Sequence, residues 1–531
     1  MKNIIKSLIF NIKSIFNIKI NMKKSEPELS NKRNINNLFS YFFIIHERKT
    51  LTKRMLFINL PESFSPDEHI IAYPPEQHGF VDPRNEGFMK IRMLYILWQI
   101  GESASYHERT WKETGFIAVS GKTFQKRVQS YKPYLDYLIN TGVIEFDNHY
   151  IPQVIPYGYR FAERFHNEPF RRIDLIHGAI NEIFNEEIEL FPYLTYWYKQ
   201  DKLKLNSGTA RNEAYILYST TIDNKRLWNR GKYGKLKNPY PQYYSAIQLI
   251  SKIESNVYNL KISLKVHRLY STLTAMPSKY RKYLKYDNQH LGCIDIKNCQ
   301  SYIACLILKP EFWRSDSNLP LTLYSLPQNI IDLFDSNLII MIGEYFSGLE
   351  SPDIFNEYID LVSNGGIYQD MILWAQQEKE KTITKERVKE VVFSTIFSPV
   401  NSRKTWLHGY YTQKFAPVID FFNIIKHDIY SIQSTDNNED IIELNEIEID
   451  ELAVKKPHAR LSILFQAIES EIILHRCCKR IFEERIHSIP IFTVHDCIIT
   501  TQNNMDYLEN TIIEEFTTSI GYPPPIDIES W

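Results

Sequence analysis

Glycine is scarce in this chain, 18 of 531 residues, and neither GxGxxG nor GxxxxGK[ST] occurs. Glycine-rich phosphate loops need residues without a Cβ so that backbone amides can close around the anion, so this scarcity argues against folds built on them. Cysteine is sparse as well. There are six, including the vicinal pair Cys477 and Cys478, and no CxxC. That usage fits a reducing compartment and argues against a zinc module. No apolar run approaches the roughly 20 residues that span a bilayer. Lys6, Lys13 and Lys19 interrupt the N-terminal apolar stretches that a signal peptide would keep unbroken. We therefore expect no membrane partner and a cytoplasmic location, or the host-cell cytoplasm for a phage-encoded chain. A net charge of −1 leaves a polyanionic partner open, because local patches matter more than the sum.

What is present is an ordinary globular composition, 44% hydrophobic and 24% charged, rich in Tyr and Phe and long enough for two or three domains. Residues 1–54 read as a basic, poorly ordered leader, and Met55 is an alternative start because a new composition opens there. Residues 55–168 read as an N-terminal α+β domain. Within it, 123–142 places Val128, Tyr131, Tyr134, Leu135 and Leu138 at helical spacing, with Gly142 as a left-handed cap. Two short strands follow around Asp147 and Asn148, a turn pair. Helix followed by hairpin is the outline of a winged helix. Residues 169–265 read mainly as helices, broken by a basic, tyrosine-containing loop at 229–237 that suits either phosphate contact or plain solvation. The acidic stretch 434–456 reads as a surface insertion.

Chemistry concentrates in 266–531. An apolar run, 290–296, delivers Asp295 at a strand end, and 489–502 reads as strand, tight turn at His495-Asp496, then strand. Two-metal phosphoryl transfer needs carboxylates on rigid neighbouring elements, holding ions about 3.5–4 Å apart. Either aspartate alone is also an ordinary turn residue or cap. Between them, 384–398 reads as a helix capped by Thr382 or Thr384 and stopped by Pro399, with Val388, Val391, Val392 and Ile396 as its buried stripe. Lys385, Lys389, Phe393 and Phe397 recur every four residues along another side. A further helix, carrying Gln466, leads into the His495-Asp496 hairpin.

In this order and spacing the segments resemble the polymerase domain of family A DNA polymerases, relatives of the single-subunit RNA polymerases. Asp295-Ile296-Lys297-Asn298-Cys299-Gln300 is similar to motif A, DYSQIE. Lys385, Lys389, Phe393, Phe397 and Ser398 fall on motif B, RxxxKxxxFxxxYG, and Val494-His495-Asp496-Cys497 resembles motif C. His267-Arg268-Leu269-Tyr270-Ser271 is similar to TGRLSS, with Arg281 following before motif A, and Gln466 falls on the Gln of the PIQG helix. The resemblance implies an α+β right-hand polymerase: a palm with an antiparallel sheet, helical fingers, a thumb-like 169–265, and palm and fingers over 266–531. It implies two Mg²⁺ ions held by Asp295 and Asp496 with the Ile296 carbonyl. Lys385 and Lys389 would neutralise the incoming triphosphate, and Phe393 and Phe397 would pack on its sugar and base. Arg268, Arg281 and Gln466 would contact nucleic acid, and His495 would support the primer end.

The departures bear on substrate. Gln300 stands where DNA-synthesising members carry a Glu that blocks a 2′-hydroxyl, and it is nearly isosteric with Glu. Phe393 is the residue type of the DNA polymerases. Lys385 in place of Arg loses bidentate phosphate contact. The expected activity is that of a DNA-directed DNA polymerase extending primer–template DNA with dNTPs, without a proofreading exonuclease. The alternatives are a single-subunit RNA polymerase or primase-like enzyme, and a non-catalytic replication initiator.

Overall fold

The computed structural model describes residues 56–81, 84, 87–106, 108–149, 156–175, 191–230, 235–402, 405–427 and 457–531. The expected leader, the basic-loop residues 231–234 and the acidic insertion 434–456 lie outside them.

In the N-terminal third, strand β1 (Phe57–Pro61) is followed by helix α1 (Lys90–Tyr106), which is buried from Arg92 to Ser105. Next come β2 (Ile117–Ala118), α2 (Gly121–Gln125), α3 (Tyr131–Asn140), β3 (Ile144–Phe146), β4 (Gly158–Phe161) and β5 (Phe170–Asp174). The single helix expected over 123–142 is thus two helices. The break has a local cause. Ser120 caps α2, its hydroxyl accepting from the Thr123 amide, and a helix running unbroken through Pro133 would lose an amide and clash with a carbonyl one turn back. Breaking at 126–130 puts Pro133 in the first turn of α3, where its missing N–H costs nothing. Gly142 is left-handed, φ 65°, as its place after the helix predicts. Strands β2, β4 and β3 form an antiparallel sheet in that order, and β1 pairs with β5.

The middle and C-terminal parts supply β6 (Leu203–Leu205), α4 (Pro239–Glu254), β7 (Lys261–Ile262), β8 (Leu269–Tyr270), β9 (Leu284–Tyr286) and β10 (Gln289–Ile296). They are followed by α5 (Cys299–Ile307), α6 (Ile367–Lys379), α7 (Lys385–Phe397), α8 (Ala459–Ser470), β11 (Phe492–Val494), β12 (Cys497–Thr501), α9 (Met505–Ile520) and β13 (Ile526–Ser530). Helices α1 and α4 cross closely at Gly101, where a Cβ would lie 2.8 Å from the Tyr244 ring. A polar network seals the same contact. Lys252 pairs with Glu102 at 2.8 Å, Gln248 donates to Glu102, and Asn59 of β1 donates to Gln248. Every member is buried and paired, which is what makes polar groups tolerable in a core.

A six-stranded sheet organises the C-terminal part, in the order β11-β12-β10-β9-β6, with β13 on β10. All its pairings are antiparallel. The β9–β10 hairpin turns on Asp287 and Asn288, both at positive φ (50° and 64°), the geometry that matches strand twist in two-residue turns. Strand β10 is central, paired with β12 on one side and β13 on the other. Alternation sends Gly292 and Ile294 to one face and Cys293 and Asp295 to the other. Helix α9 covers the first face so closely that a Cβ on Gly292 would meet Met505 Sδ at 2.8 Å. The second face is left for the carboxylates. The chain is therefore α+β with an antiparallel sheet and many helices, and from Met55 on it packs as one unit. Among the described residues no helix is long and apolar enough to cross a membrane.

Candidate active site

Asp295 lies near the end of β10, facing Cys497 on β12 and Asp527 on β13. Asp496 occupies the two-residue turn between β11 and β12, whose closing pair is Val494 and Cys497. His495 precedes it at φ 54°, a left-handed conformation that is uncommon outside glycine and often found at functional turns. The Ile296 amide donates to the Asp496 carbonyl at 3.4 Å, tying the turn to the strand end. The two aspartates, distant in sequence, thus sit side by side where β10 ends and β11 turns into β12. Asp527 and Glu529 of β13 share the Asp295 face, and neither figured among the sequence candidates, although the alternation Ile526-Asp527-Ile528-Glu529 is a readable strand pattern.

The electrostatics follow from this crowding. Burial, then Asp496, then Glu529 push the Asp295 carboxyl up to about 7, and Lys389 pulls against them. Burial also raises Asp496, against the pull of Arg268 and Lys389. Lys389 therefore lies within electrostatic reach of both acids. It does so because the Val388, Val391, Val392 and Ile396 stripe of α7 is buried, which turns Lys389 and Phe393 outward. Thr384 caps α7, its hydroxyl accepting from the Arg387 amide. Phe393 and Phe397 stack at 5.6 Å and 17°, with Phe393 39% exposed. Lys385 is exposed at the first residue of the helix. Tyr368 of α6, buried and absent from the sequence candidates, lies 5.8 Å from the Lys389 ammonium, and the two aspartates add to the upward push that burial gives its hydroxyl.

A second carboxylate system lies behind Asp496. Glu469 of α8 is fully buried and accepts from Arg268 Nη2 at 2.6 Å and from the Gln300 amide. The Cys299 thiol is 3.7 Å away. Cys299, Glu469 and Asp496 bring one ligand atom each within 4.8 Å of one another. Glu469 Oε1 and Gln300 Oε1 are buried without a hydrogen-bond partner. Burial raises Glu469 to about 7, Asp496 adds to the rise, and Arg268 opposes it. Glu469 was missed in the sequence, yet it carried a signal: an acid on the apolar stripe of its helix, four residues after Phe465 and three before Ile472. From Glu471 to Cys478 that helix continues in the wider π form, a rare geometry that tends to mark functional regions.

The remaining candidates are placed as follows. Arg281 donates Nε to the Met276 carbonyl and lies 5.2 Å from the Trp531 ring; burial lowers its guanidinium, while Cys497, Cys293 and Glu529 oppose the shift. His495 lies 6.2 Å from the Tyr270 ring, edge to face. Gln466 turns back along its own helix, donating to the Ser462 carbonyl at 3.1 Å.

No family model matches the chain, and no curated protein does. Among solved structures the chain is similar to the POL domain of Pol1 from M. smegmatis in complex with DNA primer-template and dNTP. Identity is 13%, over 64% of this chain and 69% of that one, and the TM-score is 0.29. A TM-score of 0.29 does not establish a common fold.

The residues fit divalent cations. Crowded carboxylates whose burial and mutual repulsion raise their proton affinity, Asp295 to about 7, beside an unpartnered buried carboxylate oxygen, form an oxygen-rich set. One consequence is measurable. Asp295 and Glu469 bind their protons more tightly in the folded chain, so their contribution to stability is fully present below the ordinary carboxylate range and is lost as pH rises to about 7. The thermal midpoint of the metal-free protein should fall from about pH 5 to about pH 8, and Asp295→Asn should flatten that fall. A midpoint that rises over this range in the parent would contradict the clustering.

Proposed function

We propose that the chain is a template-directed nucleotidyltransferase, a DNA polymerase of the family A type that extends a primer with dNTPs and lacks proofreading. On this reading the six-stranded sheet is the palm of a right hand, α6 and α7 belong to its fingers, and 169–265 is thumb-like. The observation that carries it is Asp295 and Asp496 side by side where β10 ends and β11 turns into β12, with the Lys389 charge acting on both. Asp295, Asp496 and the Ile296 carbonyl would hold two Mg²⁺ ions. Bound there, the ions supply a Lewis acid for the attacking 3′-hydroxyl and for the departing pyrophosphate oxygen. Lys389, exposed on α7, neutralises negative charge on the triphosphate, with Lys385 at the capped helix start reaching the same anion. The exposed face of the Phe393–Phe397 stack offers an apolar surface to sugar and base. Arg281, Gln466 and His495 would line the path of the primer–template.

Gln300 has a specific place in this reading. Its amide N–H₂ is committed to Glu469, so Glu469 and Arg268 position the side chain that crowds the 2′ position of the nucleotide. Gln300→Ala should lower the ratio of dNTP to NTP incorporation roughly tenfold. An unchanged ratio removes Gln300 from sugar choice. Lys389→Ala should raise the dNTP KM by about tenfold while changing kcat far less, because its contact is made in ground and transition states alike. An equal fall in kcat at unchanged KM would place Lys389 in the chemical step instead.

The deciding experiment is primer extension on a defined template with Mg²⁺, with dNTPs and NTPs in parallel. Extension with dNTPs supports the proposal. Extension with NTPs alone makes the chain an RNA polymerase, and binding without extension by either makes it a replication-associated binding protein.

A further inference from the structure

The polymerase reading uses nothing between Lys90 and Phe161, yet this segment has an architecture of its own. In chain order it is helix, strand, helix, helix, strand, strand, and the three strands lie in the order β2-β4-β3, all antiparallel. Helices α2 and α3 form a helix-turn-helix. Phe124 stacks on Tyr131 at 5.5 Å and 24°, and Gly121 is close enough to Tyr131 that a Cβ would lie 2.5 Å from its hydroxyl. Tyr134, Tyr137 and Leu138 bury the inner face of α3, and the Tyr134 hydroxyl accepts from the Met89 amide at 3.0 Å at the foot of α1. Phe124 meets Tyr159 of β4 at 5.7 Å, so the sheet supports the helix pair from below. This is the winged-helix arrangement, in which the second helix of the pair is free to enter a major groove.

The charge on the outer face fits that use. From Ser120 to Pro133 the sequence holds Lys122, Lys126, Arg127 and Lys132 and no acid, in a chain whose net charge is −1. Lys122, Lys126 and Lys132 are exposed and Arg127 is half-exposed. Among the described residues none of these four makes an ion pair. Their neighbours do: Lys112 is paired with Asp147 and Arg160 with Glu145. The outer surface of α2, the turn after it and the start of α3 thus carries a local excess of positive charge. Gln125, exposed, adds an amide that can reach phosphate or base edges, while the exposed Gln129 accepts from Arg84 through its Oε1 and keeps its N–H₂ as a donor. Asp136 is the one acid on the outer side of α3, half-exposed one turn beyond Lys132.

We infer that this winged-helix unit is a second nucleic-acid site, one that grips duplex DNA through α2, the start of α3 and the turn between them, by phosphate contacts from Lys122, Lys126, Arg127 and Lys132. The inference goes beyond the polymerase reading and stands without it. The test uses the full chain and a closed DNA hairpin with no primer end, followed by fluorescence anisotropy across a salt series. A Lys122→Ala/Lys126→Ala/Lys132→Ala variant should bind the hairpin at least about tenfold more weakly near 0.1 M salt. Its slope of log affinity against log salt should be shallower by up to about 2.7, at about 0.9 per lost phosphate contact. The triple Lys→Arg variant should bind as the parent does, which separates charge from any loss of folding, and Asp136→Asn should bind more tightly. Asp295→Asn, placed at the other site, is measured as the comparison, and primer extension by the parent is read separately. Unchanged affinity and slope in the triple Ala variant overturn the inference. So does a loss confined to single-stranded DNA, or a loss that the Arg variant shares.

Discussion

Asp496→Asn is expected to abolish nucleotide incorporation, with a fall of roughly 10³-fold or more, the scale seen when a group that stabilises developing charge is removed. The fold should survive. Asn is isosteric with Asp, and the turn that carries it is held by the Val494–Cys497 pair and by the Ile296 amide on the Asp496 carbonyl. The substitution also removes one negative charge from beside Asp295, whose carboxyl is pushed up in part by Asp496. The variant should therefore release Asp295 toward a lower pKa and be at least as stable as the parent in the absence of metal. Loss of activity with equal or higher thermal stability is a signature that simple unfolding cannot produce. The parallel measurement is stabilisation by Mg²⁺, which should shrink in Asp496→Asn because a ligand is gone. Full incorporation by this variant would sink the two-aspartate site and revive the reading of a protein that binds nucleic acid without acting on it.

Arg268→Ala should give the largest loss of stability. The Arg268–Glu469 pair is a buried ion pair, 2.6 Å long, with Glu469 only 1% exposed. Removing one partner from such a pair costs about 3–5 kcal/mol, because the other charge is left without compensation in a low dielectric. The loss should depend on pH in a defined direction. Glu469 holds its proton to about pH 7. Below that it is neutral and needs Arg268 less; above it the parent can ionise Glu469 against Arg268, whereas the variant, without that downward pull, must keep the proton or carry an uncompensated carboxylate. Arg268→Ala should therefore be mildly destabilised near pH 6 and strongly so near pH 8, and Glu469→Gln in the same chain should restore much of the difference. Thermal midpoints of the two single variants and the double variant at both pH values measure this. If Arg268→Ala keeps its stability at high pH and loses only DNA affinity, the guanidinium serves the nucleic acid rather than Glu469. The resemblance to family A implies that role, and the two outcomes are cleanly separable.

Local pattern carried much of this site. Helix α7 begins and ends where Thr384 and Pro399 place it, and its four buried residues are those that helical spacing selects. The strand ending at Asp295 and the hairpin around His495 and Asp496 are likewise where alternation and turn chemistry put them. The error over 123–142 came from the same kind of reasoning: the apolar spacing is continuous, but Pro133, tolerated only in a first turn, divides the helix. Glu469, Tyr368, Asp527 and Glu529 escaped attention because each is unremarkable in its own segment. What matters about them is what they face, and that is set by pairing and packing between distant parts of the chain.

By itself, then, the sequence determined which segments are helix and strand, which faces of them are apolar, and that two aspartates and a Lys-Phe helix were candidates for one site. These are properties of short windows, governed by side-chain period and capping. Only the tertiary structure decided that β10 pairs with β12 and β13, so that Asp295, Asp496, Asp527 and Glu529 crowd together within reach of the Lys389 charge. It alone committed Arg268 and Gln300 to a buried glutamate. Strand register and helix docking depend on how whole faces fit against one another, and no local window contains that information.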